Sequence, residues 1–553
     1  MEIITMKKFW KWIGIILGSL ILAVVLTGLF LYNKYIGFVD YPSGGILSEN
    51  QAKYDVVFYD LDLTVNSTEK SIAGCVTIKL TSLADSLDKI ELDLFEHLIV
   101  QETEMNGVQQ KFTREKDKLW INLNKSLSAG EVIDFKIVYH GQPMEAKLPP
   151  WRGGFNWSKD ANGDDWIGVS CEGEGAKIWF PCKDHPSDEP DSVAVHITIP
   201  EPYYCASNGL LRSITFPKSG FRTFNWVTNY PINNYNVNIS IAKYDRVTRQ
   251  YTTDLNTTMP VVFYVLPQDR SKADELIDMA VDMLTVYRKY FGEYPFANEK
   301  FGLAETDYLG MEHQTLNAYG NKFSYDIIAR NKFDQLMLHE MGHEWWGNKV
   351  TVNDWADTWI HEGICTYGES LYHLDKTGEN GYHEYMQSIK RRIKYRKPII
   401  IKRNANTSES YHMDVYSKGA YLLHSLRYML GDSLFFKTIK EFATDSAYTY
   451  RNRVVTEDFI KLVKKNSPVD YTKFIHNFLH TTELPEIYLR KTDEGKYEIS
   501  IKNIDYELPM EVKTDQGDSR VLLGANPVFI RSTTEPLIDQ KDWYLKNIKK
   551  ENM

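Results

Sequence analysis

The chain has 553 residues, enough for several domains, and its 43% hydrophobic and 25% charged residues are the composition of a folded globular protein, which excludes a disordered chain. A net charge of -10 and a pI near 5.8 leave no basic footprint for nucleic acid. The cysteines, Cys75, Cys171, Cys182, Cys205 and Cys365, are odd in number and lack C-x-x-C spacing, so they suggest neither a disulfide scaffold nor a cysteine-held metal.

In chain order, residues 1–11 form a short tail carrying Lys7, Lys8 and Lys11, and Trp12 to Tyr32 is an apolar run without a charge, followed by Lys34. Its length suffices to cross a bilayer, it exceeds a signal-peptide core, and no small-x-small cleavage site follows. The lysines before it predict a cytoplasmic N-terminus, a single-pass anchor at 12–32 and everything after residue 33 on the outer, periplasmic or extracellular side. After a linker at 33–50, residues 51–245 alternate apolar and polar in short runs such as Val193-Ala194-Val195-His196-Ile197-Thr198-Ile199, which predicts a β-rich domain. Within it, Gly153-Gly154 and the stretch Asp160 to Asp165 with Asn162-Gly163 read as a long excursion outside the core.

The period changes in residues 246–485. Ser271 to Phe291 repeats Leu276, Ile277, Ala280, Met283, Leu284 and Tyr287 at helical spacing, from a serine cap to a stop before Gly292, and helical patterns continue over Lys332 to Trp346, Lys418 to Leu430 and Thr456 to Lys465. Residues 486–553 return to alternation and predict a small terminal β-domain. The fold class is therefore multidomain α+β, with a transmembrane helix, a β-domain, a mainly helical domain and a small β-domain in that order.

The helical region carries His339-Glu340-Met341-Gly342-His343 and, eighteen residues later, Glu362. Residues four apart share a helix face, so both imidazoles can meet one ion, and a distant carboxylate completes the three protein ligands of a catalytic zinc that keeps one position for water. Glu340 stands beside the ion without binding it, where it can take a proton from that water. Glu369, seven residues after Glu362, lies two turns along the same face, positioned to accept a hydrogen bond from a ligand histidine; an ordinary helix acid is its plain alternative.

These residues resemble the M1 family of gluzincin metallo-aminopeptidases related to aminopeptidase N. Trp359-x-x-Glu362-Gly363 is similar to the family's W-x-x-E-G, and Leu309-Gly310-Met311-Glu312-His313 to its G-x-M-E-N, with leucine and histidine in place of the outer glycine and asparagine. The resemblance implies that Glu312 binds the substrate's α-amine, that Gly310 and Met311 line the substrate, and that Glu172, counted back from Phe180-Pro181-Cys182-Lys183-Asp184, is a second amine ligand. Tyr416 in Tyr416-Ser417-Lys418-Gly419 is similar to the family's oxyanion-stabilising tyrosine. The same resemblance implies a saddle-like β-domain, a thermolysin-like catalytic domain and a small C-terminal β-sandwich. A large helical C-terminal domain common in the family is expected to be missing here, leaving the active site more open.

The resulting expectation is a membrane-anchored zinc aminopeptidase with one zinc per chain, acting on peptides with a free N-terminus. Two other readings are a bifunctional epoxide hydrolase and aminopeptidase, for which the C-terminal segment offers no convincing extra residues, and an inactive ectodomain with a binding role, which the intact ligands and base oppose.

Overall fold

The strand Tyr54–Asn66 shows how alternation builds the first half of the computed structural model, which describes residues 41–551 except 329 and 494, together with positions 20, 22 and 27. Leu61, Leu63 and Val65 are buried while Asp62, Thr64 and Asn66 face solvent, and a bulge between Val56 and Phe58 lets both Val56 and Tyr59 point inward. This strand pairs antiparallel with Ser71–Ser82 and parallel with Ser192–Pro200 at the centre of an eight-stranded sheet.

The stretch read as an excursion is a core hairpin. Gly154–Lys159 and Asp165–Ser170 pair in register, Phe155 opposite Val169, and belong to a four-stranded sheet with Tyr204–Ser207 and Ile239–Ala242. Asn162-Gly163 is simply its turn, with Gly163 at φ 84°. The strands are too short for the alternation to stand out, yet Phe155 is fully buried, its ring 6.0 Å from Trp179.

A five-stranded sheet follows. Helix α1 (Ala273–Phe291) crosses from Thr258–Val265 to its parallel neighbour Phe301–Glu305, then comes Asn317–Tyr319, and the short antiparallel strand Gly310–Met311 forms the edge. Ser271 does not cap α1; Pro267 opens a 3₁₀ turn over Pro267–Lys272 that takes Ser271 into its interior. The helix expected over 332–346 is only α2 (Gln335–Gly342), because Asn331–Phe333 pairs with Asp326–Ile328 and Asp334 starts the helix by accepting from the Met337 N–H at 2.9 Å.

Helix α3 (Trp359–Arg392) starts before Glu362 and breaks its course at Gly378, whose φ of 71° and ψ of -165° lie outside helical space. Helix α4 (Met413–Leu430) packs along it, followed by α5 (Asp432–Thr444), α6 (Thr456–Asn466) and α7 (Thr472–His480). The last residues form a four-stranded and a three-stranded sheet. One hydrophobic core runs from the helices into these terminal strands, and a second fills the N-terminal β-rich domain.

Asparagines stitch the two cores together. Asn233 Nδ2 donates to the Gly347 carbonyl at 2.7 Å, Asn236 Nδ2 to Asn348 Oδ1 at 2.6 Å and Asn208 Nδ2 to the Gln314 carbonyl at 2.6 Å, all buried. All five cysteines are free thiols. Residues 12–32, read as a membrane anchor, lie outside the described residues apart from Leu20, Leu22 and Thr27; among the described residues no helix is long and apolar enough to cross a membrane.

Phe155→Ala is expected to lower the unfolding free energy by about 3–5 kcal/mol in denaturant titrations, the cost of a large core cavity. A loss below about 0.5 kcal/mol would return the hairpin to the surface.

Candidate active site

The end of α2 aims two imidazoles at one point. His339 Nδ1 lies 2.6 Å from Glu369 Oε1 and His343 Nδ1 lies 2.9 Å from the Trp346 carbonyl. A carboxylate and a carbonyl accept hydrogen bonds only, so both Nδ1 atoms carry the proton and both Nε2 atoms turn lone pairs into the shared space. Those Nε2 atoms are 3.2 Å apart, and Glu362 Oε2, buried and without a hydrogen-bond partner, is 3.4 Å from one and 3.3 Å from the other. Ligands about 2.0–2.1 Å from a tetrahedral zinc stand about 3.3 Å from each other, so these three atoms fit zinc as they are.

Glu362 reaches this point because α3 and α4 approach closely. A Cβ on Gly363 would sit 2.9 Å from the Gly419 Cα, and one on Gly419 would sit 3.0 Å from the Gly363 Cα, so neither position accepts a side chain without separating the helices. The same approach carries Tyr416 in. Its hydroxyl donates to Glu362 Oε1 at 2.8 Å, its ring stacks on His339 at 5.9 Å, and it is hydrogen-bonded to the Tyr411 hydroxyl.

Glu340 faces the other side of the ligand set. Acidic oxygens of Glu312 and Glu340 and a nitrogen of His343 lie within 4.8 Å of one another. Gly310, in the edge strand, allows this: a Cβ there would lie 2.4 Å from Glu340 Oε1 and 2.7 Å from Leu336 Cδ1. Glu312 is held through its carbonyl, which accepts from Asn348 Nδ2 at 3.0 Å, and through Oε1, which accepts from the Tyr235 hydroxyl at 3.1 Å. Tyr235 comes from the N-terminal β-rich domain. So does Glu172, whose neighbour Cys171 donates its thiol to the Tyr235 carbonyl at 3.4 Å and so ties the two loops together.

Electrostatics bind these residues into one group. Burial raises the Glu172 carboxyl well above its usual range, and the charge of Glu312 raises it further, followed by Glu362. Burial pushes Glu340 up to about 8, opposed by the two imidazoles and reinforced by Glu312 and Glu362. The two departures in the Leu309-to-His313 segment stand elsewhere: Leu309 is 41% exposed, and His313 is fully buried and held neutral as burial drives it to about 3.

The sequence matches the Peptidase M1 N-terminal domain over residues 56–235 and the Peptidase family M1 domain over residues 276–480, which together take up most of the chain. The chain belongs to peptidase family M1. Among M1 relatives, it is 22% identical to Saccharomyces cerevisiae aminopeptidase 2 over 66% of this chain and 38% of that protein. It is 25% identical to Lactococcus lactis aminopeptidase N over 43% and 30%. It thus spans well under half the length of these curated relatives. The M1 zinc metallopeptidase of Deinococcus radiodurans superposes with a TM-score of 0.66 at 25% identity, covering 81% of this chain and 98% of that one. Aminopeptidase A of Legionella pneumophila shares the fold at a TM-score of 0.73 and 19% identity, over 90% of this chain and 60% of that one.

The residues expected from helical spacing, His339, His343, Glu362, Glu340 and Glu369, come together with Glu312, Tyr416 and Gly310, which the resemblance implied; Glu172 is joined to them electrostatically, and Met311 is buried in the edge strand. Tyr235, Tyr411, Gln335 and Tyr385 contact the same groups and no motif pointed to them. Only Tyr411, five residues before Tyr416, carried a local clue. Metal analysis of the purified chain is expected to give one zinc per chain, and His343→Ala is expected to bring it near zero with the far-ultraviolet dichroism of the parent. Full zinc in that variant would remove His343 from the ligand set.

Proposed function

We propose that this M1 protein is a zinc aminopeptidase that removes the N-terminal residue of peptides. The observation that carries this reading is the position of Glu312, within 4.8 Å of both Glu340 and the ligand His343. An ammonium bound there can bring only the first peptide bond to the reacting centre, since each further residue of an extended peptide is about 3.3 Å away. Glu172, raised by the charge of Glu312, supplies a second carboxylate to the same ammonium. Further support comes from the Deinococcus relative, a variant of which is described as bound to a Tyr-Ser-Ala substrate.

His339, His343 and Glu362 would hold the zinc, which would supply Lewis acidity toward the scissile carbonyl and the attacking water. Glu340 takes the proton of that water and later gives it to the leaving amine. The Tyr416 hydroxyl, now on Glu362 Oε1, turns to the carbonyl oxygen as negative charge develops there.

Glu340→Gln is expected to cut kcat on aminoacyl chromogenic substrates by about 10²–10⁴, with zinc content unchanged; a rate within tenfold of the parent would discard Glu340 as the base. In the parent, N-acetylation of the substrate is expected to abolish turnover, and activity that survives it would mean an endopeptidase.

We also propose that residues 12–32 anchor this activity to the outer face of a membrane, on the strength of their uncharged apolar run and the lysines before it. Deleting residues 1–33 is expected to move the activity from the carbonate-washed membrane pellet to the supernatant. Recovery of the undeleted chain in the supernatant would reject the anchor.

A further inference from the structure

The outer support of the zinc site leads to a part of the molecule far from the peptide cleft. Glu369 uses one oxygen for His339 Nδ1, at 2.6 Å. Its other oxygen, Oε2, accepts from the Tyr385 hydroxyl and from the Gln335 side-chain amide, and Gln335 also donates to the Tyr385 oxygen at 3.2 Å. Three donors on two oxygens leave this carboxylate no free rotation. The carboxylate in turn fixes the plane and tautomer of the His339 ring.

Gln335 is local to α2, but Tyr385 is not. It lies on the part of α3 beyond Gly378, and only the turn at that glycine folds this second arm back so that its tyrosine meets Glu369 on the first. No atom lies within 4 Å of a Cβ built on Gly378, so backbone conformation, not space, explains the glycine.

The returning arm is fastened to residues 539–546, the connection between the last two short strands, Leu537–Ile538 and Asn547–Glu551. Gln387 Nε2 donates to Asp542 Oδ2 at 3.0 Å and Lys390 Nζ pairs with Asp542 Oδ1 at 2.9 Å. One turn back, His383 sets its ring edge-on against Trp543 with centroids 4.8 Å apart. From the other side, the Tyr421 hydroxyl of α4 donates to the Asp542 carbonyl. The residues between His339 and Asp542 thus form one continuous set of contacts: His339, Glu369, Tyr385, the arm 379–392, Asp542.

We propose that the C-terminal strands help to retain the zinc, acting through the returning arm of α3, with Tyr385 as the positioning residue that carries their docking to Glu369 and His339. This rests on the assignment of His339 as a zinc ligand. The competing account is that the terminal strands only complete the hydrophobic core. Under that account, changes at Tyr385 or Asp542 lower thermal stability without altering metal release far below the melting temperature.

The test is zinc release from the full chain to a chromogenic chelator at 25 °C, beside thermal unfolding and the visible absorption of the cobalt-substituted protein. Tyr385→Phe keeps the ring and removes the donor. It is expected to speed release about tenfold or more, the usual consequence of losing an outer hydrogen bond, and to shift the cobalt bands at an unchanged melting temperature. Asp542→Asn is expected to speed release by a smaller factor, and Gln387→Leu does the same task should Asp542→Asn fail to fold. Tyr488→Phe, in the terminal strands and away from the arm, is expected to match the parent. Release from Tyr385→Phe within twofold of the parent overturns the role of Tyr385. Acceleration in Tyr385→Phe with none in either arm-contact variant overturns the coupling to the C-terminal strands. A parent chain that binds no zinc fails the ligand assignment instead, so the two failures are distinguishable.

Discussion

Four carboxylates, Glu172, Glu312, Glu340 and Glu362, share one buried cleft with two imidazoles. For Glu312 and Glu340, whose oxygens lie within 4.8 Å, an effective dielectric near 20 gives a repulsion of about 3 kcal/mol when both are ionised, and burial adds a cost for each charge. Such a group is favourable when a dication and an ammonium lie among its members. The surroundings are arranged to hold the acids and imidazoles in place for those cations: Trp346 and Glu369 orient the imidazoles, Tyr416 holds Glu362, and Tyr235 and Asn348 hold Glu312. In the proposed function, recognition of a metal and of a free amine would draw on the same surplus of negative charge.

The parts of this arrangement that depend on helical periodicity were readable in the residues. His339 and His343 are one turn apart, and Glu362 and Glu369 are two turns apart, so their shared faces follow from 3.6 residues per turn. Glu172 was legible only through its motif, since its loop has no period. Tyr235 was not legible at all, because it meets Glu312 across 77 residues and a domain boundary. Tyr385 lies sixteen residues from Glu369 in what reads as one straight helix, where sixteen residues would mean more than 20 Å. Only the unusual backbone of Gly378 brings them together. The hairpin 154–170 was misread for a related reason, as its two six-residue strands are too short for alternation to outweigh the turn residues around them.

Two motif glycines acquire a physical role from the packing. Gly363 follows Glu362 and Gly419 stands three residues after Tyr416, whose hydroxyl touches Glu362, and the two glycines face each other across α3 and α4. Their contact sets how deeply Glu362 and Tyr416 enter the cleft. Methyl groups there would push the helices apart by a distance that matters at a site tuned to tenths of an ångström.

The proposed amine site is also divided between two bodies, since Glu172 and Tyr235 belong to the β-rich domain and Glu312 and the zinc ligands to the helical one. It works as a ruler whose zero mark and working edge are set in separate blocks. One residue of extended peptide is a step of about 3.3 Å, so a slip of even half that between the blocks would blur which bond is presented. The asparagine seam at Asn208, Asn233 and Asn236 crosses the same boundary, so the proposed ruler depends on these three buried hydrogen bonds as well as on the carboxylates it would align.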